Sequence, residues 1–89
     1  MPERLYRIHG HVQGVGFRWW SRAEARRLGL SGTVRNCPDG SVELRARGPE
    51  EALASLRALL RQGPPRSRVS GVDEEPASGV PAEGFEIER

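Results

Sequence analysis

The stretch Leu5-Tyr6-Arg7-Ile8-His9-Gly10-His11-Val12-Gln13-Gly14-Val15-Gly16-Phe17-Arg18-Trp19-Trp20 decides the fold. Its first half, Leu5 to Val12, reads as a strand, with Tyr6, Ile8 and Val12 on one face and Arg7, His9 and His11 on the other. Gly14 and Gly16 break that strand and permit backbone geometry a side chain would forbid. From Phe17 the apolar period becomes helical. Phe17, Ser21, Ala25 and Leu28 share a stripe with Trp20 at its edge, Trp19 points the other way, and Gly29 is the stop.

Downstream of this strand, glycine loop and helix, Gly32-Thr33-Val34-Arg35-Asn36 forms a short strand. Cys37-Pro38-Asp39-Gly40 is a hairpin turn with Asp-Gly chemistry. The returning strand, Val42 to Arg47, alternates apolar and charged residues, so one face is buried and the other wet. Pro49 opens a second helix with Glu50 and Glu51 complementing its dipole, and Ala52, Leu53, Leu56, Leu59 and Leu60 make its core stripe. Gly63-Pro64-Pro65 ends it. Arg68 to Val72 predicts a fourth strand, Pro76 to Gly84 a connector, and Phe85-Glu86-Ile87 a short terminal strand. The order β-α-β-β-α-β with a strand appended predicts an α+β chain: an antiparallel sheet with two helices on one face.

Composition bounds the rest. A chain of 89 residues fits one domain, residues 1–89, and excludes a two-domain cofactor enzyme. All 14 basic side chains are arginine, and with 12 acidic residues the net charge is only +2, too small by itself to imply a nucleic-acid partner. No stretch approaches the roughly 18 consecutive apolar residues of a membrane span, and Met1-Pro2-Glu3-Arg4 lacks the apolar core of a signal peptide, so a cytoplasmic location is expected. The single cysteine, Cys37, forms neither an internal disulfide nor a multi-cysteine metal site.

Backbone N–H groups around a glycine turn and at a helix N-terminus converge on a point suited to phosphate or carboxylate, and a guanidinium at Arg18 grips two anion oxygens. The spacing alone leaves two readings open: a phosphate cradle, or a chain reversal beside one more solvated arginine. No Gly-Lys-Ser/Thr ending follows, which disfavours nucleotide triphosphate hydrolysis. Asn36, two residues before Pro38, likewise has an ordinary reading as a turn organiser.

The run Ile8 to Arg18 resembles the first signature of the acylphosphatases at every specified position. Gly32-Thr33-Val34-Arg35-Asn36, with Gly40, Val42 and Gly48, resembles the second. The resemblance continues through the Leu-rich second helix and Ser67-Arg68-Val69 to Phe85-Glu86-Ile87. It implies a ferredoxin-like enzyme that hydrolyses the carboxyl-phosphate bond of acyl phosphates with no metal or organic cofactor. The family's catalytic arginine falls on Arg18 and its water-positioning asparagine on Asn36, while the phosphate-binding loop corresponds to Gln13, Gly14, Val15, Gly16 and Phe17. A monomer is expected, with phosphate or sulfate competing as product-like anions. One departure is Thr33, where the family usually carries an aromatic residue; changed packing near the site is expected, with Trp19 or Trp20 as candidates to fill the space.

Other constellations are weaker. Six residues after Cys37 stands Glu43, so the Cys-x5-Arg pattern of cysteine phosphatases is absent and Cys37 reads as an exposed turn residue. Asp39 and Asp73 are the only aspartates, and neither has a second aspartate two residues away, so an aspartyl-phosphate route is disfavoured. His9 and His11 share a strand face, but two imidazoles leave a metal site incomplete; His11 is close enough to the loop to assist an anion. Arg7 and Arg35 are expected to add positive field there. The rival classes are a non-catalytic acylphosphatase-like module and an RNA-binding domain of the same element order. The open-face residues Arg7, His9, Glu43, Arg45 and Arg47 offer no aromatic for base stacking, and the chain keeps both Arg18 and Asn36.

Overall fold

The computed structural model describes all 89 residues, Met1–Arg89. Its elements are β1 (Glu3–His11), α1 (Phe17–Arg27), β2 (Ser31–Asn36), β3 (Val42–Arg47), α2 (Glu50–Gln62), β4 (Arg68–Pro76) and β5 (Phe85–Ile87). They form one five-stranded sheet in the order β4-β1-β3-β2-β5. β1 pairs antiparallel with β3 and β4, and β2 antiparallel with β3. The appended β5, by contrast, runs parallel to β2, with Ile87 beside Val34, so the sheet is mixed rather than wholly antiparallel. Alternation in a three-residue strand carries no direction; the connector from β4 sets it.

Strand alternation sorts the side chains as the pattern requires. Tyr6 and Ile8 of β1, Val34 of β2, Val42, Leu44 and Ala46 of β3 and Phe85 of β5 are buried, together with Phe17 and Ala25 of α1 and Leu53, Leu56 and Leu60 of α2. Both helices therefore cover one face of the sheet. The buried Tyr6 hydroxyl donates to the Leu53 carbonyl at 3.2 Å, tying β1 to α2. Burial, then the nearby Glu74 carboxylate, pushes its phenol pKa well above the usual value.

β4 runs four residues beyond the expected Val72. The sequence reading gives Asp73 to Glu75 no element, and two of these three charges meet a partner across the fold: Asp73 Oδ2 lies 2.9 Å from His9 Nε2, and Glu74 faces Arg4 at 3.8 Å and Arg57 at 3.6 Å. As an edge strand it also tolerates Pro76 at its end. Pro49 likewise shifts from first helical residue to helix cap, in an extended conformation. No helix is long and apolar enough to cross a membrane.

Candidate active site

β1 and β2 are both antiparallel to β3, so they run in the same direction and end at the same edge of the sheet. The loop that leaves β1 and the hairpin that leaves β2 are therefore neighbours. Val12 and Phe17, at either end of the loop, are both buried and fix its two feet in the core. Between them Gly14 and Gly16 take φ values of +75° and +78°. A Cβ at either position would meet nothing within 4 Å, so glycine is required by the left-handed conformation and not by crowding.

Gly16 is the cap of α1 and offers no side-chain bond, and the first turn contains no acidic residue. The one backbone bond from that turn into the loop joins Trp20 N–H to the Gly16 carbonyl at 3.0 Å. The preceding helical N–H groups thus lack an acceptor within the chain, at the positive end of the helix dipole. Arg18 stands in this turn, half-buried, and is absent from every ion pair of the structure. Its carbonyl accepts the Ser21 hydroxyl at 3.2 Å, which steadies the turn.

Asn36 is the last residue of β2, half-buried and paired across to Val42. The reversal that follows is held by Cys37 N–H to the Ser41 carbonyl at 2.8 Å and Gly40 N–H to the Cys37 carbonyl at 3.1 Å. Asp39 accepts from the Ser41 hydroxyl at 2.6 Å and the Ser41 N–H at 2.9 Å. Those two bonds hold the Asp39 carboxyl below its usual range.

The contact that joins loop to hairpin carries no signal in the sequence. Gln13 Nε2 donates to the Cys37 carbonyl at 2.8 Å and to the Ser41 carbonyl at 2.9 Å. Two carbonyl acceptors require the nitrogen of the amide to face the hairpin. Hence the Gln13 side chain is a clamp, and any role of this residue toward an anion belongs to its backbone.

Cys37 is buried, not exposed as expected: its Sγ lies 3.6 Å from Arg7 Nη1. Arg7 and Arg35 share one carboxylate, which offsets one of their two positive charges. Both face Glu43, which sits in register with each of them, at 3.4 Å from Arg7 and 2.5 Å from Arg35. His9 faces Asp73, while His11 is exposed at the last position of β1, just before the loop. Thr33 lies between the buried Gly32 and Val34 and so faces away from the helices. Neither tryptophan of α1 fills its space: Trp20 packs edge-on against Phe17 at 5.3 Å, and Trp19 is exposed.

A model of the acylphosphatase family matches residues 4–87, nearly the whole of this arrangement. The chain belongs to the acylphosphatase family. It is 54% identical over 83 residues to an acylphosphatase of Nitratidesulfovibrio vulgaris strain DP4, covering 91% of this chain and 83% of that protein. It is 49% identical over 84 residues to an acylphosphatase of Thermococcus kodakarensis, covering 91% and 89%. The crystal structure of the acylphosphatase from Bacillus subtilis superposes with a TM-score of 0.94 at 36% identity, over the full length of both chains. The acylphosphatase fold therefore brings the glycine loop, Arg18 and the Asn36 hairpin to one edge of the sheet. Its other face displays Arg7, Glu43 and Arg45 in place of the aromatics on which RNA-recognition modules stack bases.

Proposed function

We propose that this chain hydrolyses acyl phosphates to a carboxylate and inorganic phosphate by direct attack of water, the whole of residues 1–89 acting as one acylphosphatase-like domain. In this reading the phosphoryl oxygens sit on the N–H groups of Gln13, Gly14, Val15, Gly16 and Phe17 and are gripped by the Arg18 guanidinium. The observation that carries it is the Gln13 clamp, which ties that loop to the hairpin bearing Asn36.

The chemistry suits such a site. Water attacks phosphorus, the phosphorus–oxygen bond to the acyl group breaks, and its electron pair leaves on a carboxylate. The leaving group is good enough to need no acid, so positioning and charge stabilisation carry the rate. Asn36 orients the water through a neutral amide, which accepts from water and donates to a phosphoryl oxygen without repelling a dianion. The substrate phosphate takes the proton. One chain supplies both groups, so we propose a monomer, acting in the cytoplasm, with phosphate and sulfate as competing anions.

The test is turnover of acetyl phosphate, with chelator present, by wild type, Arg18→Ala and Asn36→Ala. Losing one preorganised donor costs about 10²–10³ in rate, so both variants fall at least that far while melting as wild type does. Full activity in Asn36→Ala would remove its water-positioning role, and loss of wild-type activity to the chelator would overturn the metal-free route.

A further inference from the structure

The hairpin that carries Asn36 is gathered on one residue. Ser41 is buried and immediately precedes Val42, the residue paired across from Asn36. Its carbonyl accepts both Cys37 N–H at 2.8 Å and Gln13 Nε2 at 2.9 Å, so the closure of the hairpin and the clamp to the glycine loop meet on a single oxygen. The Ser41 hydroxyl and N–H in turn both donate to Asp39 Oδ1, at 2.6 and 2.9 Å. A displaced Ser41 therefore loosens both ties beside Asn36 at once.

Asp39 itself is exposed and makes no ion pair. Its charge is nevertheless used, because a hydrogen bond to an ionised acceptor is roughly twice as strong as a neutral one. The charged groups that act on it are Arg7 and His9 of β1, on the sheet face away from the helices; Arg7 also faces Glu43 of β3, and His9 faces Asp73 of β4. The carboxylate thus sits with the groups of the outer face and fastens the hairpin without standing among the N–H donors of the α1 turn.

Resting on the hydrolysis proposed above, we infer that Asp39 is a positioning residue for that reaction: acting through Ser41, it sets where Asn36 stands relative to the glycine loop, and it touches neither the phosphoryl group nor the attacking water. The experiment measures kcat and KM for acetyl phosphate, and the inhibition constant of phosphate, in wild type, Asp39→Ala, Asp39→Asn and Ser41→Ala. All are assayed at a temperature where circular dichroism shows each variant folded. A misplacement of about 1 Å costs on the order of 10² in rate, so the partial loosening in Asp39→Ala lowers kcat by about tenfold. KM and phosphate inhibition stay within about twofold, because the loop and Arg18 hold the anion. Asp39→Asn, whose amide oxygen accepts from the same two donors, keeps kcat within about threefold of wild type. Ser41→Ala, which retains the N–H bond alone, falls between the two. A wild-type kcat in Asp39→Ala overturns the assignment. So does an equal loss in Asp39→Ala and Asp39→Asn, or a loss that falls on phosphate inhibition and leaves kcat unchanged. A wild type inactive on acetyl phosphate is a different result, and overturns the hydrolytic reading on which this one rests.

Discussion

Replacing Gln13 by alanine removes both bonds between the loop and the Cys37–Ser41 hairpin. Each is a neutral amide-to-carbonyl bond with a net contribution of about 1 kcal/mol, so the pair contributes about 2 kcal/mol. The carbonyls left behind keep one partner each, from Gly40 N–H and Cys37 N–H, so a large added penalty for unpaired groups is not expected. For a domain of this size that corresponds to a fall in Tm of roughly 10 °C. Catalysis falls further, because a shift of about 1 Å between Asn36 and the loop costs on the order of 10² in rate. Gln13→Glu is the sharper probe. It sets a carboxylate oxygen against two carbonyl oxygens, so it destabilises more than alanine near neutral pH. Protonation of that carboxyl, whose pKa is raised by the repulsion, restores part of the loss on acidification. Thermal unfolding followed by circular dichroism, with kcat/KM on acetyl phosphate and the inhibition constant of phosphate, reads all three quantities. A wild-type Tm in Gln13→Ala combined with weaker phosphate inhibition would refute the clamp, since it would mean that the side chain serves the anion directly.

Gly16→Ala meets no atom, so its cost is conformational, about 1–2 kcal/mol for a left-handed residue, and Gly16→Asn, which tolerates that region, recovers most of it. Equal losses in thermal melts of the two variants would point to another cause. Tyr6→Phe loses the bond to Leu53, about 1 kcal/mol at neutral pH. The unfolded chain releases the phenol proton near the ordinary value of 10.0 while the fold, with its raised pKa, retains it. Wild-type stability therefore declines as pH rises above that value, and Tyr6→Phe removes the decline. Urea melts of both proteins at neutral and alkaline pH isolate this effect, since Cys37 and the α-amino group are common to the two; parallel slopes would refute it.

Local chemistry is readable from the sequence and long-range partnership is not. Alternation in β1 and β3, the wheel of α2 and the two glycines before Phe17 each report a local preference, and all of them hold in the structure. Gln13 gives no such signal, because its partners lie 24 and 28 residues away and become visible only when β1 and β2 are set on either side of β3. Burial of Cys37 depends on the same closure. The sequence carries no sign that β4 continues through Asp73 to Pro76, because strand preference penalises Asp, Glu and Pro; the extension rests on pairing with Arg4 to Arg7 of β1, with Arg4, His9 and Arg57 facing two of its carboxylates. At Thr33 alternation could have placed the side chain: a residue between two core positions on a strand must face away from the helices.

The distribution of charge around the proposed site suits a phosphoryl dianion. Loop and hairpin must be held rigidly together, yet an ion pair as the fastener would place either a competing carboxylate beside the substrate or a second cation that traps the product. A glutamine donating to two backbone carbonyls avoids both, since neither partner is ionised. The same logic explains Glu43. It lies beneath the hairpin, between Arg7 and Arg35, and draws two guanidiniums toward the outer face of the sheet. Arg18 is left as the unpaired guanidinium at the loop itself, backed by uncapped helical N–H groups. A preorganised donor set of this kind binds most strongly where charge concentrates on the phosphoryl oxygens, and Glu43 offsets one of the two charges that Arg7 and Arg35 would otherwise add nearby.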